Sequence, residues 1–232
     1  MTAEGRILTD PEDDLKVAGL KDGDTITAVR VEPKVAATLG AFALWCPEGD
    51  GIELRAWGDP ETGGDSSAVQ DQLKNVQKIQ TTWSAFAAIL ADGAVVTWGD
   101  PTSGGDSSTV QDHSHVKQVQ ATSSAFAAIV EDGSVVTWGK RGFGATSFRV
   151  QGQLRNVQQV QATEFSFAAI LSDGSVVTWG CQGAGGDSSR VQDQIQHVQQ
   201  VQATSSAFAA ILADGSVVAW GDPKSGGDSS AV

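Results

Sequence analysis

An all-β fold, a β-propeller of five short blades, is predicted by three recurring features of the sequence. A Trp-Gly pair closes the same phrase at Trp57, Trp98, Trp138, Trp179 and Trp220, at spacings of 41, 40, 41 and 41 residues. An Asp-Gly pair separates two apolar runs at Asp92-Gly93, Asp132-Gly133, Asp173-Gly174 and Asp214-Gly215, and with an insertion at Asp50-Gly51. Ahead of each hairpin runs a segment in which glutamine alternates with valine or alanine, as in Val198-Gln-Gln-Val-Gln-Ala-Thr204. A repeat of about 41 residues marks one supersecondary unit copied and stacked, because a single copy cannot bury its own apolar face.

Each element has a local reason. The segments Lys34–Thr38, Val76–Thr82, Val116–Thr122, Val157–Thr163 and Val198–Thr204 read as strands with one wetter face, since side chains alternate across a strand. The Asp-Gly pair predicts a tight primed turn, whose positive φ values these residues tolerate. The hairpin strands are apolar on both faces, with Phe208, Ala210 and Leu212 on one side and Ala207, Ala209 and Ile211 on the other. Strands covered by neighbouring sheets on both sides have this composition. The stretch Val69-Gln-Asp-Gln-Leu73 is either an outer fourth strand or an irregular loop. Three or four strands per unit of this length suit propeller blades, in a five-bladed ring or an open arc of a larger one. Residues 84–99 and 206–221 differ at two of sixteen positions, so the copies do not choose between ring and arc.

With 232 residues, five such units and a leader over residues 1–33 use the whole chain. The net charge of −13 argues against nucleic acid and against anionic membrane surfaces, both of which are held by Lys and Arg. Cys46 and Cys181 sit at non-equivalent places in different repeats, which is neither a disulfide framework nor a metal-ligand spacing. The opening residues lack the basic-then-apolar run of a secretory signal, and no stretch of about 18 apolar residues occurs. An intracellular protein is expected, cytoplasmic or nuclear.

The phrase Ala207-Phe-Ala-Ala-Ile-Leu-Ala-Asp-Gly-Ser-Val-Val-Ala-Trp-Gly221 resembles the regulator-of-chromosome-condensation repeat, with Ala210, Ile211, Asp214, Gly215, Trp220, Gly221 and Gly226 on the family's positions. The resemblance covers residues 34–232. Two departures stand out: the family's histidine position holds Ala41, Ala85, Ala125, Ser166 and Ala207, and its Gly-Gln-Leu-Gly loop is replaced by Gly-Gly-Asp-Ser-Ser. The resemblance implies a propeller, with seven blades the usual number, and makes Trp57, Trp98, Trp138, Trp179, Trp220, Gly93, Gly133, Gly174 and Gly215 structural repeat residues. In the leader, Gly5–Leu8, Asp14–Leu20 and Asp24–Val29 look like the last half of a ubiquitin-like domain, the alternative being an irregular leader with one strand, Thr25–Val31, docked on the first blade.

No catalytic constellation is present: there is no nucleophile elbow, phosphate-binding loop or zinc-binding helix motif, and no cofactor or metal is expected. The loop Asp-Pro-x-x-Gly-Gly-Asp-Ser-Ser pairs Asp59 with Asp65, Asp100 with Asp106 and Asp222 with Asp228. Two carboxylates fall short of the oxygen count calcium wants, so polar turns are the expectation. His113, His115 and His197 read as solvated loop residues. Partner-binding candidates come from variation on the repeated frame. The positions after the third-strand Thr read Leu39-Gly40, Trp83-Ser84, Ser123-Ser124, Glu164-Phe165 and Ser205-Ser206, which singles out Trp83, Glu164 and Phe165 as anchors. The divergent third-repeat loop adds Arg141 and Phe143, with Phe148 and Arg149 beside them.

The expected function is a non-catalytic scaffold that presents propeller loops to a protein partner, with self-association a further option if the ring is open. Two alternatives follow from the resemblances. One is a substrate-recognition fragment of a ubiquitin-pathway protein similar to HECT ligases, and the other is a guanine-nucleotide exchange factor for a small GTPase.

Overall fold

The computed structural model describes residues 32–46, 53–108 and 115–230. The ubiquitin-like reading of the leader, the Asp50-Gly51 turn and His113 lie outside these residues. The described residues form five antiparallel three-stranded sheets, each made of strands consecutive in the chain. Blade 1 holds β1 (Lys34–Ala37), β2 (Ala41–Trp45) and β3 (Arg55–Gly58). Blade 2 holds β4 (Val76–Thr81), β5 (Ala85–Leu90) and β6 (Val95–Gly99), and blade 3 holds β7 (Val116–Ala121), β8 (Ala125–Val130) and β9 (Val135–Gly139). Blade 4 holds β10 (Val157–Ala162), β11 (Ser166–Leu171) and β12 (Val176–Gly180), and blade 5 holds β13 (Val198–Ala203), β14 (Ala207–Leu212) and β15 (Val217–Gly221). The fold is an all-β propeller array, as the repeat predicts. The first strands of consecutive blades are neighbours, which places β1, β4, β7, β10 and β13 innermost.

The turns differ from expectation in one respect. Gly93, Gly133, Gly174 and Gly215 have φ of 80° to 86°, but the aspartates before them do not have positive φ. In blade 2 the Leu90 N–H donates to the Ala94 carbonyl and the Gly93 N–H to the Leu90 carbonyl, which closes a three-residue loop. This is a type I turn completed by a left-handed glycine, not a primed turn. The Asp side chain explains the choice: Asp92 Oδ1 accepts the Ala94 N–H at 2.9 Å, a bond that needs Asp in an ordinary conformation. No fourth strand forms at Val69–Leu73. Ser67–Gln72 is instead a 3-10 helix, tied down by Gln70 Nε2 donating to the Leu54 carbonyl.

The core lies between blades, not within them. Four apolar clusters each join the trailing face of one blade to the leading face of the next. In each, a Phe and a Trp paired across the second and third strands of a blade stack face to face, as Phe126 and Trp138 do at 5.2 Å. The glycine loop of the preceding blade then lies against the pair. A Cβ on Gly104 would sit 2.5 Å from the Phe126 ring, and Gly104 has φ +99°, so both space and backbone require glycine there. The indole completes the joint by donating to the loop, with Trp98 bound to Gly63, Trp138 to Gly104, Trp179 to Gly144 and Trp220 to Gly185 at 2.9 to 3.1 Å. Full burial of each phenylalanine contributes roughly 2–3 kcal/mol. Alanines at the remaining facing positions, such as Ala85, Ala87 and Ala88, are fully buried and let the sheets approach. In blade 1 Trp45 fills the place that Ile89 has in blade 2, buried, with its indole N–H unpartnered among the described residues.

Among the described residues the array is an open arc. Phe86, Phe126, Phe167 and Phe208 are 0 to 1% exposed, but their blade 1 counterpart Phe42 is 46% exposed and Trp57 is 47% exposed. At the other end a Cβ on Gly226 would meet nothing within 4 Å. Trp57 therefore stands apart from the other four tryptophans expected to be structural.

The indole bonds are testable by comparison. Trp138→Phe strands the buried Gly104 carbonyl and is expected to cost roughly 1–3 kcal/mol in urea unfolding. Trp57→Phe, where the indole is half exposed and has no such bond among the described residues, is expected to cost less than about 0.5 kcal/mol.

Candidate functional site

Each innermost strand is followed by a threonine, Thr38, Thr82, Thr122, Thr163 or Thr204, and these organise the axial mouth. Each hydroxyl donates to the carbonyl of the 3-10 turn of its own unit, as Thr82 does to Ser103 at 3.1 Å and Thr122 to Phe143 at 2.9 Å. The residues immediately after these threonines then bond from blade to blade. The N–H of Leu39 donates to Trp83, Trp83 to Ser123, Ser123 to Glu164 and Glu164 to Ser205, all carbonyl acceptors at 2.8 to 3.0 Å. This backbone ladder fixes five side-chain positions around one concavity of about 520 Å³, lined by Leu39, Trp83, Ser123, Glu164 and Ser205 and by the threonines behind them. Because the N–H and carbonyl of Trp83, Ser123 and Glu164 are both held in the ladder, only the side chains distinguish one of these blades' contribution from the next.

Trp83 and Glu164 are thus brought to one site, two blades apart. Trp83 is 46% exposed, although its backbone N–H and carbonyl are both hydrogen-bonded to the neighbouring blades. Ser123, between them, is buried and donates its hydroxyl to the Glu164 carbonyl at 2.6 Å. Phe165 points elsewhere. Its ring packs against Phe143 at 5.3 Å, and Lys140 Nζ lies 4.9 Å from the Phe143 ring centre. The loop residue Phe143 and the post-strand residue Phe165 therefore form a second apolar spot, and Arg141, two residues before Phe143, is exposed. Phe148 is exposed on the same divergent loop. The sequence signal for this pairing was present in the departure of repeat three from the common loop, but not the distance between its halves.

The aspartate-rich loops resolve into turns. Asp59, Asp100 and Asp222 accept the N–H groups of Glu61, Thr102 and Lys224, capping short 3-10 turns. Asp65, Asp106, Asp187 and Asp228 accept the N–H two residues on, at Ser67, Ser108, Ser189 and Ser230. These carboxylates are spent on backbone donors. The histidine reading is refined too. His115 and His197 have φ of 66° and 56° at the position held by Asn75 and Asn156, and their backbones pack under the hairpin glycines of the preceding blade. Cys46 is buried and Cys181 is exposed, both as free thiols.

No protein-family model matches the chain, and no curated protein matches it. Among solved structures, the ectodomain of the Physcomitrella patens receptor kinase CR4 is similar at 15% identity and a TM-score of 0.56, over 83% of this chain and 51% of that one. Yeast RCC1 (Prp20), in its complex with Kap60, is similar at 16% identity and a TM-score of 0.54, over 81% of this chain and 55% of that one. Prp20p from Saccharomyces cerevisiae aligns in a second structure at 15% identity and a TM-score of 0.52, over 81% of this chain and 56% of that one. The chain spans about half the length of these structures. At such identities the likeness establishes the propeller fold.

The Asp turns carry a pH prediction. Backbone N–H bonds from Ser67, Ser108, Ser189 and Ser230 hold Asp65, Asp106, Asp187 and Asp228 below the ordinary carboxylate range, and the hydroxyls of Ser175 and Ser216 do so for Asp173 and Asp214. A carboxyl lowered on folding stabilises the fold above its unfolded pKa of about 3.9 and loses that contribution as pH falls through the folded value. The thermal midpoint is therefore expected to be level from pH 7 to about 5 and to drop below about pH 4. Circular dichroism melts across that range provide the check, and a midpoint that does not fall between pH 5 and 2.5 contradicts the assignment.

Proposed function

We propose that the chain is a non-catalytic protein-interaction module whose axial concavity receives a protein segment. The observation that carries this reading is Trp83: a large aromatic side chain left half exposed at a position whose backbone is locked on both sides by the inter-blade ladder. A rigid, exposed aromatic loses little conformational freedom on binding and is the usual kind of hot-spot anchor. Glu164 on the same rim supplies charge for a cationic side chain of the partner, and the net charge of −13 favours approach of a basic segment. The Phe143–Phe165 spot, whose Phe165 follows Glu164 in the chain, offers a second apolar contact.

The exchange-factor alternative has one supporting finding, the likeness to Prp20p, a protein whose binding to Gsp1p and histones has been characterised. The absence of the family's Gly-Gln-Leu-Gly loop counts against it, and nucleotide release from purified small GTPases in the presence of the chain tests it directly. The ubiquitin-pathway alternative rests on leader residues outside the described structure.

Trp83→Ala is expected to weaken partner binding by roughly 2 kcal/mol or more, about thirtyfold, while leaving thermal stability within about 0.5 kcal/mol. The measurement is quantitative capture from lysate with wild-type and variant chains side by side, scored for partners lost. A partner set unchanged by both Trp83→Ala and Phe165→Ala overturns the assignment.

A further inference from the structure

The two ends of the arc are the separated halves of one joint. The leading half is on blade 1, where Phe42 stacks on Trp57 at 5.5 Å with both rings about half exposed. The trailing half is on blade 5, where Ile211 is 40% exposed although Ile89, Ile129 and Ile170 at the same position are 4 to 6% exposed. A Cβ on Gly215 or Gly226 would meet nothing within 4 Å, whereas at Gly174 or Gly185 it would strike the next blade. The polar groups match as well. Among the described residues the Trp57 indole N–H and the Gly226 carbonyl lack the bond that Trp98 makes to Gly63, and the Ser205 N–H and Leu39 carbonyl are the loose ends of the axial ladder.

We propose that these faces bind each other in trans: blade 5 of one molecule docks on blade 1 of a second copy, head to tail. The internal joints are the argument for a second copy over an unrelated partner. Blade 5 offers the same Ala-x-Ala-x-Ile face that blades 2 and 3 already bury against a following blade, and blade 1 offers the same Phe–Trp pair that blades 2 to 5 bury against a preceding one. One molecule thus carries both members of a fit already made inside it. The joint re-formed between copies would gain the Trp57 to Gly226 and Ser205 to Leu39 hydrogen bonds. Such an interface is heterologous, so it closes into a ring where the rotation permits and otherwise extends as an open series. Two chains of charge −13 repel, so added salt strengthens the association.

The proposal is tested by sedimentation of the 232-residue chain over a concentration series, at low and high salt, with Phe42→Glu and Ile211→Glu as single variants. Wild type is expected to associate with rising concentration, more at high salt. Each variant destroys one half of the joint and is expected to be monomeric, with self-association at least ~100-fold weaker. An equimolar mixture of the two variants keeps one intact half from each and is expected to form a heterodimer that grows no further. Both positions are exposed in the single chain, so circular dichroism and the melting curve of each dilute variant are expected to match wild type. Trp83→Ala leaves assembly unchanged, which separates this interface from the axial site. A wild type that stays monomeric throughout, association that survives either variant, or a mixture that remains monomeric would each overturn the proposal.

Discussion

The joint between successive blades is the constraint on which the rest of the structure depends. A three-stranded blade of this size has no interior of its own, so its stability is the area it hides against its neighbours. The joint solves two problems with one loop. A glycine in left-handed conformation brings bare backbone onto the face of a phenylalanine, as Gly104 does on Phe126, and the carbonyl of the same glycine takes the indole proton of the tryptophan stacked behind. Burying an indole without a partner for its N–H is costly, and so is burying a carbonyl, and each satisfies the other here. That is why the repeat unit is punctuated by Trp and Gly rather than by any large apolar residue and any turn.

Frame and variable surface are separated cleanly by this arrangement. The threonine hydroxyls, the blade-to-blade ladder and the Asp-capped turns engage the backbone around the axial mouth. They hold whatever side chain follows the threonine, and so tolerate leucine, tryptophan, serine or glutamate there without change in path. The positions free to vary are the ones pointed at the concavity, and function on this scaffold is expected where variation is cheapest.

Much of this was legible in the residues. The spacing of the Trp-Gly pairs located every blade, the alternating glutamines located the inner strands, and the both-face apolar hairpins announced burial on two sides. What escaped has physical reasons. The turn type depended on the Asp92 side chain reaching its own backbone, a competition that the Asp-Gly pair alone does not decide. The Val69 stretch became a 3-10 helix because Gln70 found a carbonyl at Leu54, sixteen residues back. Phe143 and Phe165 meet across a blade joint, a relation no local pattern encodes. Openness of the arc was hidden for a different reason: Phe42 and Phe86 have the same neighbours in sequence character, and only whether a described blade packs on the preceding side tells them apart.

Uniform joints also bear on how such a gene can change. Because blades 2, 3 and 5 carry the same Ala-x-Ala-x-Ile trailing face, a crossover between misaligned copies of these blades would add or remove whole units and keep the same chemistry at the new joint. Segments as alike as 84–99 and 206–221 are natural places for such an exchange. Blade number is therefore the quantity this architecture can alter most readily, and relatives that differ by complete multiples of the unit would keep the same inner chemistry around mouths of different width.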